Sequence, residues 1–284
     1  MSDAQRPFPG GILNLTGCRP GEAFQYDGLS FPDMTIFMVF FESSYEAIEK
    51  LILPPPLKAD RSFPPEVQMW YFSSRNTLPM DGRILPYQGF QFRARTEHAG
   101  VKGSAGWEYI DGLYGDKTAV DIMGPWGVYF GMLKKFGDIR FIPLGVDEYE
   151  MSVTRRGVRL VTMRMKIGQE LGGDALAQMN DGSAGETLTV REVPNIHYDG
   201  FVDRAICSTN TGVTNQVLRA WTCCDASVTF GHLELDPLDE LLSGKVTNAL
   251  AFNATASVET FTEMRILEEL PREVARTRHA VMAD

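Results

Sequence analysis

The sequence has 284 residues, 27 basic against 37 acidic, and a formal net charge of −10. That balance lacks the clustered lysine and arginine needed to grip a nucleic acid or an anionic membrane surface, so neither is an expected partner. Hydrophobic residues at 44% and charged residues at 23% are ordinary globular usage, which excludes a largely disordered chain.

Residues 1–28 are polar with scattered glycine and proline and read as an extended arm. Residues 1–11 contain no apolar core of the kind a secretory signal carries, so a cytoplasmic location is expected. Phe8, Leu13, Leu15 and Phe24 in the arm need cover. A second copy of the chain would supply it, so a homo-oligomer is expected.

Residues 34–41 are rich in β-branched and aromatic side chains, as a buried strand requires. Their apolar core, residues 36–41, is far shorter than the ~18 residues of a membrane-spanning helix. Ser43 and Glu46 have capping-box spacing, and Ala47, Ile48, Leu51 and Ile52 follow at helical intervals. Pro54, Pro55 and Pro56 end this short helix, because proline lacks the backbone donor and restricts the residue before it.

Short alternating runs then take over. Phe90, Phe92 and Ala94 alternate with Gln91, Arg93 and Arg95, and Val161, Met163, Met165 and Ile167 with Thr162, Arg164 and Lys166. Further strand signals lie at 67–72, 187–193, 226–235 and 258–266, with turns at Asp81-Gly82, Gly172-Gly173, Asp181-Gly182 and Asp199-Gly200. Without sustained strand-helix alternation the pattern predicts an α+β fold, a mainly antiparallel barrel or sandwich with few helices. One domain spans 29–270, and 271–284 form a tail. Cys18, Cys207, Cys223 and Cys224 lack the two-residue spacings of a zinc site and read as reduced thiols, so no metal is expected.

The segment 126–137 sets two adjacent lysines, Lys134 and Lys135, in an apolar and aromatic stretch. Dilysine is common on edge strands, where it discourages aggregation. Neighbouring side chains of a strand take opposite faces, however, so one of the two must turn inward. Desolvation of a buried ammonium favours the neutral amine, which attacks ketones. Repulsion between the two ammonium groups, worth roughly 2.8 kcal/mol at ~6 Å and an effective dielectric near 20, is the competing cause and shrinks if they diverge.

Residues 130–135, Phe-Gly-Met-Leu-Lys-Lys, resemble the Gly-x-Pro-Lys-Lys segment of the acetoacetate decarboxylase family, with Leu133 where proline is usual. Further similar stretches follow in family order between about 24 and 268. They are residues 46–57, Gly100-Val101-Lys102-Gly103, Tyr114-Gly115-Asp116, Pro194-Asn195, Tyr198-Asp199-Gly200, Ala220-Trp221-Thr222 and Asp236-Pro237-Leu238. The resemblance implies a cone-shaped β-barrel, oligomeric assembly, a Schiff base on Lys134 and a cationic neighbour in Lys135. It implies no cofactor, because a protonated imine is itself the electron sink.

Family decarboxylases present one arginine and two glutamates to the pocket. The matched stretches put Met34 at the arginine position, with Gly89 and Trp70 at or near the glutamate positions. Candidate replacements are Gln88, Arg93, Arg95 and Glu97, although a solvated strand face is the plainer reading of the two arginines. Trp126 reads as core or cavity lining, and His232, among Phe230, Leu233 and Leu235, as a core histidine or a base. Three functions remain open: a Schiff-base lyase acting on a keto acid or related carbonyl compound, an imine-dependent aldolase or dehydratase, and a barrel that only binds a small apolar ligand. Acetoacetate itself is expected to be a poor substrate.

Overall fold

The computed structural model describes residues 29–77, 85–117, 120, 123–124, 127–128, 130–182, 186–197, 199–208, 213–241, 245–258 and 264–273. The arm at 1–28, the Asp81-Gly82 turn, Cys18, Trp126 and residues 274–284 lie outside the described residues. In chain order the strands are β1 (Leu29–Glu42), β2 (Lys58–Ala59), β3 (Glu66–Thr77), β4 (Leu85–His98), β5 (Val101–Gly112), β6 (Leu133–Phe136), β7 (Asp138–Gly145), β8 (Glu148–Arg155), β9 (Val158–Leu171), β10 (Glu186–Pro194), β11 (Phe201–Ser208), β12 (Val213–Phe230), β13 (Val246–Val258) and β14 (Arg265–Glu269). Helix α1 (Tyr45–Leu51) follows β1 and helix α2 (Gly173–Gly182) follows β9.

The strands form one sheet in the order β14-β11-β10-β5-β4-β3-β1-β13-β12-β9-β8-β7, with β2 on β4 and β6 on β5. Pairing is antiparallel except where β10 and β6 run parallel to β5. The ladder is open, but its last strand returns to the middle through side chains. The Ile139 N–H donates to Asp111 Oδ2 at 3.0 Å, and Gln88 Nε2 donates to the Ile139 carbonyl at 3.3 Å. A cone-shaped, mainly antiparallel α+β fold results. No helix among the described residues is long and apolar enough to cross a membrane.

Alternation along the central strands buries both faces. One carries Phe37, Val39, Phe41, Met69, Tyr71, Phe90, Phe92, Trp107 and Tyr109, with the Phe92 and Trp107 rings stacked at 4.9 Å. The other carries Ile36, Met38, Phe72, Tyr87, Ile110 and Phe252. A one-residue slip of β3 or β4 would exchange the two sets, so burial on both sides fixes the register.

Several local expectations shift. The helix cap is Ser44, whose hydroxyl accepts from the Ala47 N–H at 3.0 Å. Ser43 instead donates to the Leu241 carbonyl at 2.6 Å, a partner 198 residues away that sequence spacing does not reveal. Ser44→Ala is expected to cost about 1 kcal/mol in a denaturant titration, whereas an unchanged midpoint would show that the cap contributes nothing. Strand β12 ends at Phe230, short of the expected 235, and the chain turns with the Asp236 N–H on the Leu233 carbonyl at 2.7 Å. Of the segment 258–266, Val258 ends β13 and Arg265 and Ile266 begin β14, while residues 259–263 lie outside the described residues. Asp181-Gly182 is the last turn of α2, because Asn180 ties that helix to both the N–H and the carbonyl of Val217 on β12.

Candidate active site

Strand β6 is four residues long and lies parallel to β5, with Lys134 opposite Glu108 and Lys135 opposite Tyr109. Adjacent strand positions take opposite faces, so the two lysines diverge. The Lys134 side chain is 8% exposed and ion-pairs with Glu108, whose side chain is 4% exposed. Lys135 is 33% exposed, ion-pairs with the fully buried Asp236 and lies 4.2 Å above the Trp107 ring. Asp236 also pairs with Arg155, so Lys135 belongs to a separate ion cluster. The two ammonium groups thus meet different carboxylates on opposite faces of β6.

Around Lys134 the polar groups converge on one carboxylate. Tyr87 donates to Glu108 Oε1 at 2.6 Å, and Gln91 donates to Glu108 Oε2 at 3.2 Å. Lys134 Nζ also lies 3.4 Å from the Tyr87 oxygen. Burial and the Glu108 charge push the Tyr87 phenol well above its ordinary pKa, so it remains a neutral donor. On the same face Met34, Ile36, Met38, Trp70, Phe72 and Ile110 pack with Tyr87 into an apolar cluster. Gly127 lies against the lysine stem. A Cβ there would sit 2.5 Å from the Met132 carbonyl and 2.9 Å from Lys134 Cγ, so any larger residue would displace the amine.

Met34 and Trp70 share this face, as the register of β1 and β3 dictates. At Gly89 the space of a side chain is filled from β3: a Cβ would lie 2.4 Å from the tip of the Phe72 ring. The carboxylate beside the lysine comes from β5 instead. Glu108 was missed by sequence reasoning, although an acid flanked by Trp107, Tyr109 and Ile110 is an available signal, since a buried carboxylate requires a partner.

The other sequence candidates separate. Gln88 faces away from Lys134 and closes the cone, accepting from Tyr71 at 3.2 Å and donating to the Gly112 and Ile139 carbonyls. Arg93 is on the Lys134 face, partly buried, and donates to Thr187 Oγ1 at 2.7 Å and the Ser104 carbonyl at 3.3 Å. It is not the solvated residue that alternation suggested, because β10 covers that edge of β5. Arg95 is exposed with its guanidinium 4.2 Å over the Phe63 ring, and Glu97 is exposed 3.5 Å from Lys102, so neither joins the site. His232 is also outside it: it follows the end of β12, is exposed, and pairs with Asp239 at 3.0 Å. Trp126 lies outside the described residues.

A groove of about 710 Å³ opens on the opposite face, lined by Phe37, Tyr71, Gln88, Phe141 and Tyr149 among others. None of the groups around Lys134 lines it. Among the described residues, no cluster of three or more His, Cys, Asp or Glu forms a metal-binding group. Among the described residues, the Lys134 site brings together an amine, a proton acceptor and a phenol donor, with the Gln91 amide on the same carboxylate.

The sequence model for acetoacetate decarboxylase (ADC) matches residues 19–266. No curated protein matches the sequence. Among solved structures, acetoacetate decarboxylase from Legionella pneumophila is similar with a TM-score of 0.71 at 14% identity, covering 92% of this chain and 96% of that one. An acetoacetate decarboxylase-like enzyme from Sphingomonas wittichii RW1 gives a TM-score of 0.66 at 16% identity, covering 86% of this chain and 94% of that one. The enduracididine biosynthesis enzyme MppR, complexed with pyruvate, gives a TM-score of 0.65 at 15% identity, covering 88% of this chain and 94% of that one.

Proposed function

Because the chain belongs to the acetoacetate decarboxylase family, we propose that it is a cofactor-independent Schiff-base enzyme acting on a keto acid or related carbonyl compound through Lys134. The observation that carries this reading is the sequestered Lys134 amine held against Glu108 and Tyr87 beside an apolar cluster. An amine in that setting has a proton acceptor within contact and little competing water.

In the proposed reaction Glu108 takes a proton from Lys134, and Nζ attacks the substrate carbonyl carbon. The new N–C bond forms as the carbonyl π pair moves to oxygen, which is protonated by the Tyr87–Glu108 pair. The carbinolamine loses water to give an iminium. In a decarboxylation the carbon–carboxylate bond then breaks, its electron pair flows into the iminium, carbon dioxide leaves and an enamine remains. Protonation at carbon and addition of water release the ketone and restore the amine, so no electrons are gained or lost overall.

A second reading keeps the imine and changes the bond made or broken. It is favoured by Met34, Trp70 and Gly89, which put no charge where family decarboxylases carry an arginine and glutamates. One solved MppR complex contains the condensation product of pyruvate and imidazole 4-carboxaldehyde, so a protein of similar fold holds such a product. Both readings predict poor turnover of acetoacetate, since loss of one positioned donor commonly removes ~10²–10³ in rate. Carbon dioxide release by purified protein, compared with Lys134→Ala, checks this. Lysine-dependent turnover of ~1–10³ per second would show that Glu108 and Arg93 fully replace the missing charges.

We also propose a cytoplasmic homo-oligomer. Strand β7 ends the sheet and exposes Phe141, Ile142 and Leu144, followed by Val146 at 87% exposure. Light scattering is expected to give at least twice the 31.7 kDa chain mass. A monomer across micromolar concentrations would contradict it.

A further inference from the structure

Arg93 sits two residues along β4 from Gln91, the residue paired in register with Glu108. That spacing corresponds to about 6.6 Å of strand, on the same face as Lys134. Its guanidinium reaches across β5 to neutral groups only, Thr187 Oγ1 and the Ser104 carbonyl, and lies 5.8 Å from the Trp70 ring. Among the described residues no carboxylate forms an ion pair with it. Burial pulls its pKa down to about 10, with the Glu108 charge opposing that fall from a distance.

A secluded cation without an anion is costly, and proteins ordinarily pair it. The surroundings contain further unmet polar groups. Trp70 Nε1 and Thr189 Oγ1 are both buried without a hydrogen-bond partner. Trp70 is opposite Gln91 in the ladder, and Thr189 is two residues beyond the Arg93 partner Thr187 on the same side of β10. Native structures leave few buried polar atoms unpaired, so two of them on the strands around a guanidinium that lacks a carboxylate partner mark a place for an acceptor that carries charge.

We infer that Arg93 anchors the carboxylate of an oxo-acid substrate, with Trp70 Nε1 and Thr189 Oγ1 completing the subsite beside Lys134. The carbonyl end of this inference rests on the imine reading, whereas the carboxylate end stands on the arginine and its unpaired neighbours. Guanidinium presents two parallel donors to a carboxylate, which a neutral ester cannot match. The cation comes from β4, while the β1 position is occupied by Met34, so the acid enters from the β10 side of the lysine.

The test compares 2-oxobutanoate and 4-oxopentanoate with their methyl esters, each trapped on the protein by borohydride and read by intact mass. For at least one acid, half-maximal labelling is expected at a concentration at least tenfold below that of its ester. Arg93→Gln should bring that ratio close to one, Arg93→Lys should recover part of it, and Arg95→Gln, on the exposed edge over Phe63, should retain it. No acid preference in the unmodified protein, or a preference that survives Arg93→Gln, overturns the assignment. Binding of the unreactive butanoate and pentanoate, followed by calorimetry, separates the two ends of the substrate. Arg93-dependent alkanoate binding without any trapping would sink the imine and leave the anchor. Trapping on Lys134 with no acid preference and no Arg93-dependent alkanoate binding would do the reverse.

Discussion

Lys134→Ala is expected to remove at least ~10³-fold of any turnover on a carbonyl substrate, because covalent attachment through its amine has no substitute within the site. Lys135→Ala should retain labelling while unfolding more easily. Its ammonium is on the other face of β6, paired with the buried Asp236, and Arg155 remains to hold that carboxylate. Losing one charge-assisted bond of the three-way cluster is expected to cost about 1–3 kcal/mol. Paired kinetic and denaturant measurements on both variants check the division of labour. An active Lys134→Ala protein, or a Lys135→Ala protein that is stable but inert, would reverse it.

Glu108→Gln is expected to slow imine formation by ~10²–10⁴ at neutral pH. The amide keeps the size and one acceptor oxygen of the carboxylate, so Gln91 and Tyr87 retain a neighbour of the same shape. It cannot take the proton that Lys134 must lose before attack. Stopped-flow trapping with a fixed ketone measures this directly. An unchanged or faster rate would mean that Glu108 restrains the amine and does not assist it.

The elements of this fold were legible wherever alternation and local punctuation decide the outcome. Residues 34–41 lie within β1, the alternating run at 90–96 lies in β4, and Pro54 to Pro56 follow α1 closely. Errors arose where a distant partner wins. Ser43 is drawn from the capping role by the Leu241 carbonyl, and His232 is taken out of a strand when β12 ends at Phe230. Opposite faces for Lys134 and Lys135 follow from strand geometry alone. What surrounds Lys134 does not, because Glu108, Tyr87 and Gln91 reach it through the β4–β5–β6 ladder, whose register spans tens of residues.

Arg93 and Arg95 show the same limit in one pair. Two residues apart on a strand, they share the face that alternation gives them, yet β10 covers only the first. Arg95 is left on an exposed edge over Phe63. Sequence periodicity predicts the face and says nothing about which part of it another strand will roof. The acid at Glu108 was obscured for a related reason: in a strand buried on both sides, a polar residue loses the alternation that would otherwise make it conspicuous.

The central claim is that Lys134 forms an imine with a carbonyl substrate. Borohydride reduction of the unmodified protein with a panel of oxo acids, ketones and aldehydes, followed by peptide mapping, tests it most directly, since only an imine becomes a permanent secondary amine. The expected result is one adduct per chain, on the peptide containing Lys134. Folded protein that gains no adduct from any member of the panel, or gains it on another lysine, would contradict the account.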